Sequence, residues 1–149
     1  MRRFKIIFSA LVISIVAWAN SLGAQESQFL AKLKDLQNSG EKLYGIKELP
    51  VDPSAGFKEK YLFFVEQLID HSDPSVGTYK QRVIVGIRDI NAPNVIVTEG
   101  YGAAYALNPK YREEVSRLLD ANEIFVEHRY FLESTPFVQE DSTITPETL

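Results

Sequence analysis

Two short apolar runs, Asn94–Thr98 (NVIVT) and residues 123–127 (EIFVE), bracket a segment with one apolar stripe. In it Asn108 and Pro109 precede Tyr111, Val115, Leu118 and Leu119, at i, i+4, i+7 and i+8. An asparagine cap, a proline at the first helical position and that stripe predict a helix over 109–119. Glu113 and Glu114 fall early in it and Arg117 late, the charge order that suits the helix dipole. A strand, a helix and a second strand joined this closely form a parallel, right-handed crossover in nearly all cases. The unit restricts the chain to folds with a parallel strand pair, and Asn94–Thr98 is expected to be buried on both faces.

Upstream, 61–67 (YLFFVEQ) and Thr78–Ile87 (TYKQRVIVGI) are aromatic and β-branched, and the turn formers of 70–77 lie between them. They read as an antiparallel pair joined by a long turn. An antiparallel pair leading into a parallel crossover predicts an α/β fold with a mixed sheet. Ser27 is placed to cap a short amphipathic helix carrying Phe29, Leu30, Leu33 and Leu36, which Asn38, Ser39 and Gly40 stop. From there to Lys60, Gly45, Pro50, Pro53 and Gly56 interrupt any period, so the stretch reads as an irregular arm. The polar run from Glu133 onward reads as loose. The resulting divisions are an export signal (1–24), a helix and arm (25–60), a partial α/β domain (61–136) and a tail (137–149), without internal repeats.

The export signal rests on Arg2, Arg3 and Lys5 followed by 14 uncharged residues at 6–19. That run falls short of the roughly 20 that span a bilayer. Small residues follow it, and cleavage after Ala24 would leave 125 residues in a periplasmic or extracellular space. The alternative is an uncleaved anchor; after cleavage no stable membrane insertion is expected. Beyond the signal, 13 basic face 20 acidic residues, a balance that argues against a nucleic-acid partner. With no cysteine and two histidines there is no disulfide framework and no thiolate nucleophile, and neither a metal nor a cofactor is expected.

Gly100, Tyr101 and Gly102 end the first strand of the crossover, where open α/β sheets bind ligands. Backbone N–H groups there suit a phosphate or a developing oxyanion, and a plain strand-exit turn is the alternative. Tyr105 stands where the dinucleotide pattern needs its third glycine, so a dinucleotide is not expected. Glu127, His128, Arg129 and Tyr130 should share that rim, either as a site or as a cluster that locks the strand exit. His71 reads as a turn residue, with a catalytic role as the alternative. Ser75 lacks the first glycine of a Gly-x-Ser-x-Gly elbow and lies in the hairpin turn, so it is not read as a nucleophile.

Six segments, FFVEQ (63–67), DHSDP (70–74), GTYKQRV (77–83), VTEGY (97–101), LDAN (119–122) and VEHRYF (126–131), carry a resemblance. Together they resemble the amino-terminal part of the secreted tripeptidyl aminopeptidases, serine peptidase family thirty-seven of PS-10 type. These are α/β-hydrolase relatives of the prolyl carboxypeptidases, which carry a similar Glu-His-Arg-Tyr segment. The resemblance spans 61–136. It implies an α/β-hydrolase fold with Asn94–Thr98 as its third strand and 123–127 as its fourth. Gly100 and Tyr101 then lie in the loop that donates one oxyanion N–H, and the chemistry is peptide hydrolysis by acyl transfer. The family's serine, aspartate and histidine come later than any matched segment. The chain is therefore expected to be the amino-terminal fragment of an exported serine exopeptidase, inactive alone, taking a peptide substrate once completed. An aminopeptidase must hold a free peptide amine, for which Glu99 and Glu127 are candidates, each equally able to be structural. His128, Arg129 and Tyr130 are expected to form a structural rim, and the family strand order would leave Asn94–Thr98 as an open edge. The rival reading is a non-catalytic exported binding module that keeps the half-sheet.

Overall fold

The structure, a computed structural model, describes residues 27–136; the export signal and the 137–149 tail lie outside the described residues. Helix α1 (Gln28–Asn38) starts where Ser27 Oγ accepts the Leu30 N–H at 2.9 Å, and it stops at Ser39 with Gly40 at φ +99°. Cap and stop residues thus act as their chemistry predicts.

The stretch read as an irregular arm holds a strand instead, β1 (Leu43–Leu49), antiparallel to β2 (Glu59–Leu68). Its alternation is hidden because the register slips between Tyr44 and Lys47, where Gly45 takes φ +60°. A bulge of this kind switches side chains between faces and erases the period of two. The Pro53–Ala55 turn, capped by Asp52, is where the proline signal was right.

Strand β3 (Thr78–Ile87) pairs antiparallel with β2 from Glu59↔Ile87 to Leu68↔Thr78, as the two aromatic runs predict. Strand β4 (Asn94–Thr98) runs parallel to β5 (Asn122–Val126), and β5 inserts beside β3 to give the order β1-β2-β3-β5-β4. The sheet is mixed and the fold is α/β. Both faces carry a core. Val83, Val85 and Ile87 pack with Leu33, Leu43 and Phe63 under α1, and Ile84 packs with Ala103, Ala106 and Phe125 on the other side. The alternating direction of side chains along β3 makes one strand serve both.

Two expectations about the crossover fail. Helix α2 covers only Glu114–Leu118, because Asn108 caps a tighter turn: its Oδ1 accepts the Lys110 N–H at 3.0 Å and its C=O the Tyr111 N–H at 3.1 Å. Tyr111 is drawn into a ring cluster with Tyr105 and Phe125, and the helix begins only after Glu113. Its apolar stripe then faces outward, with Leu118 78% exposed, while Ser116 is buried. Strand β4 in turn lies at the sheet edge with alternate residues exposed, not buried on both faces. A short helix turned this way leaves Ile96 uncovered.

Candidate functional site

Parallel pairing of β4 and β5 brings both strand exits to one rim, as required for the two predicted segments to meet. The Glu99 N–H donates to Val126 O (3.2 Å), the His128 N–H to Tyr101 O (3.2 Å), and the Ala103 N–H to Glu127 Oε1 (2.9 Å). These bonds hold the loop at its two ends and at one carbonyl. Among the described residues, no acceptor takes the N–H of Gly100, Tyr101 or Gly102. A Cβ at Gly100 would meet nothing within 4 Å, and Tyr101 is exposed. Neither glycine needs a left-handed backbone. Gly102 is required for space: a Cβ there would overlap Leu132 Cδ1 and sit 2.8 Å from its Cγ.

Glu127 lies directly under this loop and is 0% exposed. Arg82 Nη2 forms an ion pair with its Oε1, Ser134 Oγ donates to its Oε2 at 2.9 Å, and Ser134 Oγ also accepts the Arg82 N–H at 2.9 Å. Gln81 Nε2 donates to the Glu127 C=O at 2.8 Å. A carboxylate so enclosed locks β3, β5 and the 132–134 turn together, and its charge is balanced where it sits. Of the two carboxylates named as amine holders, only Glu99 keeps exposed surface. Its Oε1 accepts the Tyr105 hydroxyl, and burial together with that bond pushes the Tyr105 phenol well above its ordinary value.

Arg129 ties the β5 exit to the end of β2, donating from Nη2 to Leu68 O (3.0 Å) and Ile69 O (2.7 Å), and its guanidinium lies over the Tyr79 and Tyr130 rings. His128 is exposed, with Nδ1 2.8 Å from Arg129 O. Tyr130 sits at φ +70°. Ser134 and the Leu132–Ser134 turn belong to the run read as loose from Glu133; through residue 136 that reading fails, because Ser134 fills the space beneath Glu127 and is 0% exposed.

A second buried carboxylate escaped the sequence reading. Glu123 is 0% exposed; its Oε1 accepts the Glu113 N–H at 2.5 Å and the Ser116 hydroxyl, while its Oε2 is buried without a partner. Desolvation pushes this carboxyl above its ordinary value and pushes the neighbouring buried Lys60 below its own. The available signal was a charge inside an otherwise apolar strand, at Lys60, Arg82 and Glu123 alike, since each must find an internal partner when its strand is buried.

The turn residues stay apart from the rim loop. Ser75 Oγ donates to Asp73 Oδ1 at 2.5 Å within the Pro74–Val76 turn, the geometry of a capped turn. His71 is exposed and lines an open cleft of about 500 Å³ with Ile69, Asp70, Val76, Arg129 and Tyr130. Among the described residues no group of three histidine or acidic side chains is placed to hold a metal, and no helix is long and apolar enough to cross a membrane.

Comparison with known sequences places these segments in context. The pattern of the PS-10 peptidase S37 family matches residues 31–145. The prolyl tri/tetrapeptidyl aminopeptidase of Streptomyces mobaraensis is 30% identical over 118 residues, which make up 79% of this chain and 24% of that protein. The chain thus spans about a quarter of the length of this curated relative.

Proposed function

The chain belongs to the PS-10 peptidase S37 family, and from that premise we propose that it acts as the amino-terminal segment of an exported tripeptidyl-aminopeptidase-type serine peptidase of the α/β-hydrolase fold. The observation that carries this reading is the row of open N–H groups at Gly100, Tyr101 and Gly102, held in place between β4 and β5. In acyl transfer the carbonyl oxygen gains negative charge as the nucleophile attacks, and donors fixed beforehand stabilise that charge without reorganising. Glu127 takes the Ala103 N–H while Arg82 balances the charge, so the donors are aligned before substrate arrives. Glu99 is the carboxylate for a peptide's free ammonium, by a charge-assisted hydrogen bond. The neighbouring of β5 and β4 supports the hydrolase reading, in which third and fourth strands lie side by side. The nucleophile, base and orienting acid come from polypeptide beyond the described residues. The name of the Streptomyces relative supports short peptides removed from a free amino end as the substrate class. The segment read as a signal supports export.

Two linked measurements test this. Alone, the chain releases no tripeptide from a chromogenic tripeptidyl substrate and takes no label from a serine-directed phosphonate. Refolded with the carboxyl-terminal part of an S37 peptidase it does both, and Gly100→Pro, which deletes one donor, then lowers kcat about 10²–10³-fold with KM little changed. Labelling of the isolated chain at Ser75, or a loss confined to KM, overturns the reading.

A further inference from the structure

Arg82, Arg88 and Arg112 each reach a carboxylate, Glu127 for the first and Asp120 for the other two. Among the described residues Arg129 reaches none. Its Nη2 is engaged by Leu68 O and Ile69 O, its Nε is buried without an acceptor, and no described acceptor takes its Nη1. The ring centroids of Tyr79 and Tyr130 lie 5.4 and 5.1 Å from its Cζ and hold the guanidinium in place. Asp70 lines the same cleft of about 500 Å³, yet among the described residues no ion pair joins the two. Asp70 Oδ1 accepts the Ser72 N–H at 2.7 Å, and no described donor reaches its Oδ2. Ile69 and Val76, the latter 49% exposed, give the cleft an apolar side. Its shape is set in advance: the Ile69 N–H donates to Gly77 O (3.1 Å), Asp73 caps the Pro74–Val76 turn, and Arg129 ties both to the β5 exit.

We propose that this cleft binds a free aliphatic α-amino acid, its carboxylate on Arg129 Nη1, its ammonium on Asp70 Oδ2 and its side chain against Ile69 and Val76. The proposal stands without the peptidase reading above. A half-buried guanidinium without a counter-charge is unfavourable, and a charge-assisted hydrogen bond from a carboxylate answers it. A simple anion would meet Asp70 as a like charge, and a simple cation would meet Arg129 in the same way. A zwitterion satisfies both walls at once. An aliphatic side chain adds to this by taking the exposed Val76 surface out of water. Because the walls are fixed beforehand, binding does not have to order them.

The test titrates the isotope-labelled full chain, followed by amide NMR, with L-leucine, L-leucinamide and 4-methylpentanoate; the second probe lacks the carboxylate and the third the ammonium. Leucine should bind saturably and about tenfold or more tightly than either analogue, with the shifts centred on the 69–77 turn and the β5 exit. Asp70→Asn should weaken leucine about tenfold without weakening 4-methylpentanoate. Val76→Ser should shrink the margin of leucine over glycine. Both substitutions fall at exposed turn positions and leave the Arg129 ties in place, so a loss of binding is not a loss of fold. Absence of saturable binding, leucine no tighter than its analogues, shifts centred elsewhere, or an affinity indifferent to Asp70→Asn overturns the site.

Discussion

Glu123 and Glu127 lie on the same stretch of chain, at alternate positions with Phe125 between them, and both are 0% exposed. Their chemistry differs because their partners differ. Glu127 has both oxygens engaged, by Arg82, Ala103 and Ser134, and is held as an ion-paired keystone beneath the loop. Glu123 has two donors on one oxygen and none on the other, and the nearby Lys60 ammonium instead donates to Asn108 O at 3.1 Å. Burial therefore pushes Glu123 toward its neutral form. Depth alone does not decide whether a buried glutamate is a lock or an acid; the geometry of its donors does.

The largest expected effect breaks the Glu127 side of this pair. Arg82→Met leaves a buried carboxylate uncompensated and should cost about 3–5 kcal/mol in urea unfolding, most of it recovered in the Arg82→Met, Glu127→Leu double variant. A cost comparable to an ordinary surface change would mean that the Arg82–Glu127 pair does not hold this corner of the fold together. Next, Gly102→Ala should cost about 1–3 kcal/mol, because the added methyl displaces Leu132 and lies 3.6 Å from Glu127 Oε1. Gly100→Ala, which meets nothing within 4 Å, should stay within about 0.5 kcal/mol. Equal costs at the two glycines would detach the loop from the lock.

The smallest effect sharpens the Glu123 side. Its folded pKa lies above the ordinary 4.5, so its contribution to stability is complete below that value and is lost as pH rises through the elevated one. Lys60, lowered from 10.5, contributes above its ordinary value and loses that contribution as pH falls through its depressed one. Glu123→Gln keeps an oxygen for the Glu113 N–H and Ser116 while removing the acid. The variant's Tm advantage over the unaltered chain should therefore widen as pH rises above the ordinary glutamate range. Parallel curves would show that Glu123 does not titrate with folding.

Local rules carried far where a segment's structure depends on its own residues. Ser27 and Gly40 bounded α1, Thr78–Ile87 was legible as a strand to the residue, and Gly100 to Gly102 with Glu127 to Tyr130 were identified as one rim. The failures have two causes. The bulge at Gly45 that hid β1 and the packing of Tyr111 on Phe125 depend on chain further along, whereas the Asn108 turn that delays α2 is local and competes with the helix start that the same residues suggest.

By itself the sequence determined the α/β class, the parallel crossover and the family, because alternation, turn chemistry and short motifs act over a few residues. Only the tertiary structure decided which charges are locks. Arg82 reaches Glu127 across 45 residues and Ser134 reaches Arg82 across 52, and no periodicity encodes a pairing at that range. A buried charge announces that it needs a partner, and packing alone selects which one it finds.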